Sequence, residues 1–211
     1  MSTVSTISEP GNEIPAPVRK NLLVDAWLVL FLAIAFGAAL AFVHAKLSPI
    51  IQANIRNETL SLVPVLVGSP EEYDVKELSH VTPSGESISF FHVTDKSDKG
   101  LGWVIPASSI GFADRIQILV GLDESASKIM GIRVVDQKET PGLGNLISDP
   151  AFRDQFEDAP TSEPLTIVKT DPAHSHQIRA VTGATISSVT VANAVNQAVM
   201  DLRSYLAADP S

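Results

Sequence analysis

Between Asp25 and His44 the chain runs for 18 residues, Ala26 to Val43, without a charged side chain. A helix that crosses a bilayer needs about 20 mainly apolar residues, because the hydrocarbon offers no water to backbone polar groups. Leu22 to Ala45 meets that length, and Trp27 suits an interfacial belt. A cleavable signal peptide ending at Val43-His44-Ala45 is the alternative. Against it stand a long leading segment containing Glu9 and Glu13 and an apolar stretch longer than a usual signal core. The run therefore predicts an uncleaved anchor over residues 21–46. It also divides the chain: residues 1–20, rich in Ser, Pro, Glu and Asn, read as a disordered tail, and the remainder must fold outside the membrane. Arg19 and Lys20 precede the span while Lys46 and Arg56 follow it, so positive charge alone does not set the orientation.

The part beyond the span is long enough for one domain with its own core. A formal net charge of −9 argues against nucleic acid, which requires a basic footprint. With no cysteine there is no thiolate metal site or iron–sulfur ligation. The five histidines show no zinc spacing, and His174 and His176 read as a solvated loop pair. No metal site and no catalytic residue is expected. A redox centre here has to be an organic cofactor or belong to a partner.

Residues 47–86 read as a juxtamembrane helix and connecting segment. The helix covers Pro49 to Leu62 and ends before Pro64. Residues 87–208 read as one domain. Ser87 to Val93 is β-favouring, and Gly100 to Pro106 is a glycine-rich bend into a short strand, with Trp103 a core residue. Ile116–Leu122 and Ile129–Val135 form a hairpin through the polar link Asp123–Lys128. The hairpin runs into E-T-P-G-L-G, Glu139 to Gly144, where proline fixes φ and the glycines permit conformations closed to other residues. A short helix at Ala151–Phe156 and a strand at Leu165–Lys169 follow. Strands and helices alternate without a βαβ repeat. The expected class is therefore α+β: one N-terminal transmembrane helix, then a mostly antiparallel sheet packed by helices.

The string V-T-G-A-T-I-S-S, Val181 to Ser188, precedes apolar residues at Ile186, Val189, Ala192, Val195, Val199, Leu202 and Leu206, the spacing of one buried helix face. A small-residue turn before a helix presents free N–H groups and the positive end of the macrodipole, a place for an anion. The plainer reading is a Thr/Ser cap.

T-G-A-T-[IVL]-[ST]-S resembles the flavinylation motif of the FMN-binding domain family, and E-T-P-G-L-G resembles that family's other signature. With the single anchor, the chain resembles the branch that contains the G subunits of Rnf ion-translocating oxidoreductases and the C subunits of sodium-translocating NADH:quinone reductases. The resemblance implies FMN joined through a phosphoester to Thr185 by a separate flavin transferase. It implies Thr182, Gly183, Ala184 and Ser188 at the phosphate end, and Glu139, Thr140, Leu143 and Gly144 beside the ribityl chain or ring. It also implies a glycine-rich stretch near the flavin pocket at Gly100–Gly102. The other implied partners are the subunits of an inner-membrane complex and membrane lipid, with the N-terminus cytoplasmic and the domain periplasmic. Arg179 departs from the family pattern, which places an acidic residue six positions before the modified threonine. A free-standing anchored flavoprotein and a non-redox anchored binding domain are the other function classes the sequence leaves open.

Overall fold

The apolar run forms a helix. In the computed structural model the residues described are 26–68, 73–81 and 87–208, and α1 covers Trp27–Leu66. The tail expected over 1–20 lies outside the described residues. The chain divides into two compact units, Met1–Ile51 and Gln52–Ser211. In the first, Trp27–Pro49 is long and apolar enough to cross a membrane, and Phe36, Leu40 and Phe42 are all exposed.

The helix does not end before Pro64 as expected; it continues to Leu66. Proline lacks the N–H that would bond back one turn, which weakens a helix interior. Here the last turn is held from outside, because Val63, Leu66 and the following Val67 are buried in the second unit. Tertiary burial outweighs the local cost.

That unit is built on a five-stranded antiparallel sheet in chain order: β1 (Tyr73–Val81), β2 (Ser87–Asp95), β3 (Gly100–Ile110), β4 (Arg115–Leu122) and β5 (Ile129–Asp136). Alternate residues face opposite sides. Phe90, Trp103, Ile105, Ile118 and Val120 enter one core. Their neighbours Phe91, Val104 and Leu119 enter the other, with Val63, Leu66 and Val67 from the end of α1. Burial on both faces explains why these strands read as unbroken apolar runs rather than alternating ones. Three glycines on adjacent strands clear a trough for α1. A Cβ on Gly121 would lie 2.8 Å from the Leu66 carbonyl oxygen, one on Gly102 3.1 Å from Val67 Cγ1, and one on Gly131 3.6 Å from Leu66 Cδ2.

Two strands escape the sequence reading. β1 is an edge strand carrying exposed Lys76 and Glu77, the composition that guards an edge against pairing with another chain and weakens its strand signal. After the short helix α2 (Pro150–Arg153), β6 (Thr166–Val168) pairs in parallel with β7 (Gln177–Arg179), which is too short to show a period. The glycine-rich bend is the start of an 11-residue strand, not of a short one.

The final helix, α3 (Thr185–Ala208), packs on β3 and β4. Its face differs from the expected one in the first turn and a half. Ile186 and Val189 are exposed, while Ser187, Ser188 and Thr190 are buried. Each inward hydroxyl has a partner. Ser187 Oγ donates to Glu139 Oε2 at 2.6 Å, Ser188 Oγ to the Ala184 carbonyl at 2.9 Å and Thr190 Oγ1 to the Ile110 carbonyl at 3.1 Å. A satisfied hydroxyl is cheap to bury, so apolar spacing misjudged the rotation of the first turns.

Candidate functional site

Four stretches of chain converge at the N-terminus of α3: the β3–β4 turn, the loop after β5, the 3₁₀ segment Gly144–Ser148 and the residues leading into α3. The loop after β5 folds on itself, with the Leu143 N–H donating to the Thr140 carbonyl at 3.1 Å and the Gly142 N–H to Asn145 Oδ1 at 2.7 Å. Gly142 and Gly183 adopt φ of +75° and +81°, which favour glycine. A Cβ on Gly183 would meet Leu143 Cδ2 at 2.9 Å, and one on Gly144 would meet Ser187 Oγ at 2.9 Å. The two sequence motifs therefore touch, which gives a physical reason for their pairing along the chain.

Glu139 ties these stretches together. It is 5 % exposed. One carboxylate oxygen accepts from Ser187 Oγ, and the other accepts from the Ala113 N–H at 3.0 Å. The amides of Phe112 and Asp114 also donate to it. Burial pushes this carboxyl up, but the Ser187 hydroxyl and the three amides pull it further down, and the net position is below the ordinary 4.5. A depressed acid stabilises the fold fully above its unfolded value, and that contribution is lost as pH falls through the folded value. Urea unfolding at pH 7 and pH 3 should therefore show a smaller loss of stability on acidification in Glu139→Gln than in the parent. Equal losses would mean that the carboxylate contributes nothing to acid sensitivity.

The cleft at this point has a volume of about 370 Å³. Glu139, Thr140, Leu143, Gly144, Gly183, Ala184 and Thr185 line it, joined by Phe112, Ile186 and Ser187. These last three were missed. Ile186 sat within the motif but was assigned to the buried helix face by its spacing, Ser187 sat there as a hydroxyl given no role in the site, and Phe112 lies in a turn with no signal of its own. Thr182 lines a neighbouring cleft of about 630 Å³ with Arg179 and Gln155. Ser188 is fully buried, its Oγ also accepting from the Val181 N–H at 3.0 Å. Arg179 pairs with Asp171 at 2.8 Å. Gly100–Gly102 lies elsewhere: Gly100 packs against Glu124 and Gly102 against Leu122 and Val67. An 11-residue strand spans roughly 35 Å, so the start of β3 cannot reach the cleft at its far end. Trp103 is a core residue as expected, 5 % exposed and stacked on His92.

The first-turn N–H groups of α3 lie outside the intrahelical ladder, the Ser188 N–H bonding back to the Ala184 carbonyl at 3.0 Å. Ser187 and Ser188 spend their hydroxyls elsewhere, and among the described residues Thr182 and Thr185 make no side-chain hydrogen bond that would cap the turn. The head of the last helix thus offers unpaired amides beside the cleft, in a chain that also carries a membrane-length helix. Residues 111–200 match the FMN-binding domain family.

Over 191 residues the chain is 30 % identical to the G subunit of the proton-translocating ferredoxin:NAD(+) oxidoreductase complex of Clostridium ljungdahlii, covering 89 % of this chain and 91 % of that one. It is 35 % identical over 122 residues to the G subunit of the ion-translocating oxidoreductase complex of Methanosarcina acetivorans, covering 57 % and 62 %. The chain belongs to the FMN-binding domain family, among relatives of the Rnf and Nqr type. The fold is shared with Shewanella oneidensis NqrC, at a TM-score of 0.59 and 16 % identity over 72 % of this chain and 99 % of that one. The C subunit of the Na(+)-translocating NADH-quinone reductase from Parabacteroides distasonis gives a TM-score of 0.51 at 20 % identity, over 58 % and 64 %.

Proposed function

We propose that this chain is an electron-carrying subunit of a membrane complex that couples redox flow to ion translocation, and that its FMN is attached through a phosphoester to Thr185 Oγ. The observation that carries this reading is the meeting of both motifs at one cleft, with Thr185 in its lining and the first turn of α3 uncapped behind it. The residues present suit the cofactor. First-turn amides and the macrodipole favour a phosphate. Leu143, Phe112 and Ile186 offer an apolar wall for a ring.

FMN supplies the electron chemistry when attached; the chain supplies position and electrostatics. Thr185 is only partly exposed and is the first residue of α3. A threonine hydroxyl needs a base to act as a nucleophile at neutral pH. Glu139 is the one carboxylate in the lining, and its oxygens are committed to Ser187 and to the β3–β4 turn. Attachment by a separate transferase drawing on FAD, which the family resemblance implies, is consistent with this lack of a free base. Arg179, in the neighbouring cleft and paired with Asp171, stands apart from the Thr185 lining. One helix cannot enclose an ion path, so translocation belongs to partner subunits, as the names of the ion-translocating relatives suggest. The domain is assigned to the periplasmic side of the inner membrane and the tail to the cytoplasm.

Protein isolated from its own host should have an intact mass equal to the chain plus one FMN phosphoester, and protease added to spheroplasts should digest the domain. An unmodified mass in flavin-replete cells would overturn the cofactor assignment. A protected domain would overturn the orientation.

A further inference from the structure

The electron affinity of a flavin held from its phosphate end depends on what surrounds it, and the cleft contains an uncommon electrostatic arrangement. Of its lining residues only Glu139 is charged; none is lysine, arginine or histidine. Its carboxylate has no ion-pair partner among the described residues, and its donors, Ser187 Oγ and backbone amides, are neutral. The nearby cation in sequence, Lys138, is exposed and bonded to Asp114 at 3.1 Å. Room for the acid is kept by glycines: a Cβ on Gly111 would fall on Glu139 Oε1, and one on Gly144 would lie 2.7 Å from Glu139 Oε2. Hydrogen bonds hold such a charge in place but do not cancel it, and burial weakens solvent screening.

We propose that Glu139 is the residue that sets the redox potential of this site, a fixed negative charge in the floor of the cleft that disfavours electron gain and holds the potential low. The inference rests on the FMN reading above. Reduction brings negative charge into a cleft where the wall supplies no cation to offset it. With the carboxyl already ionised, Glu139 has no proton to donate. At an effective dielectric of about 20, a unit charge elsewhere in a cleft of this size changes the equilibrium by about tenfold.

The test compares the midpoint potential of covalently loaded, full-length protein, read spectroelectrochemically, in the parent, Glu139→Gln and Ser187→Ala. Glutamine keeps the shape. Its carbonyl can face the turn amides while its N–H group donates to Ser187 Oγ, so the charge is removed with the clasp largely kept. Ser187→Ala loosens the clasp and keeps the charge. The expected result is a higher potential in Glu139→Gln by about a tenfold shift toward the reduced form, about 30 mV for a two-electron couple, and a much smaller change in Ser187→Ala. The double variant Glu139→Gln/Ser187→Asp returns a carboxylate to the same floor and should bring the potential back down. It also serves if Glu139→Gln alone loses flavin. An unchanged potential in Glu139→Gln, equal shifts in both single variants, or no return in the double variant would each overturn the proposal. Parent protein that carries no flavin would instead overturn the cofactor reading.

Discussion

Replacing Thr185 with valine should abolish covalent flavin, leaving a folded protein with no in-gel flavin fluorescence and the mass of the bare chain. Valine matches the shape of threonine, and Thr185 makes no side-chain hydrogen bond among the described residues. The cost to stability should therefore stay within about 0.5 kcal/mol, as for substitutions away from special features. The hydroxyl oxygen, by contrast, is the atom that would bond to phosphorus; of the other lining hydroxyls, that of Ser187 is held by Glu139 and that of Thr140 belongs to the other motif. Thr182→Val is the informative companion. Thr182 belongs to the same motif but lines the neighbouring cleft, so its loss should leave fluorescence in place. Covalent flavin persisting in Thr185→Val, or lost only in Thr182→Val, would reassign the attachment.

Gly121→Val should destabilise the Gln52–Ser211 unit by about 3 kcal/mol or more, judged from overpacking costs and the burial it would undo. The new Cβ would lie 2.8 Å from a backbone oxygen of Leu66 and 3.1 Å from its Cβ. Neither is the tip of a flexible side chain, so the strand or the end of α1 has to move. If α1 lifts, Val63, Leu66 and Val67, now 0 %, 4 % and 3 % exposed, return to water. Urea unfolding in constant detergent would measure the loss. A shift below about 1 kcal/mol, within the range of ordinary substitutions, would mean that the trough accommodates a branched side chain and that the packing of α1 there is loose.

What could be read from the chain follows from where a pattern has a single cause. The anchor, the hairpin through Asp123–Lys128 and α3 each repeat one physical requirement over many residues, and each was legible. Asp123 adds a local device, its Oδ1 accepting from the Ser127 and Lys128 amides at 2.6 and 2.9 Å. The rotation of α3 was misread at Ile186 and Val189 because serine counts as polar in a period, yet Ser187 and Ser188 go inward to specific acceptors. The end of α1 was misread at Pro64 because its support comes from strands about 25 to 65 residues away. At the cleft, the two motifs named most of the lining. Phe112 depends on a turn that only the fold brings near, and Thr182 and Ser188 differ from their neighbours only in direction.

The order in which the walls of the cleft occur along the chain has a consequence for biosynthesis. The turn at Phe112–Asp114 is made first, then Glu139–Gly144, and the hydroxyl of Thr185 last, at the head of a helix that runs on to Ala208. In a chain made N-terminus first, every strand of the five-stranded sheet is synthesised before α3. Glu139 has no Ser187 to hold until that moment. On the proposed attachment and orientation, flavin transfer would be timed by folding itself: the acceptor would reach its final setting only when the last helix closes on β3 and β4.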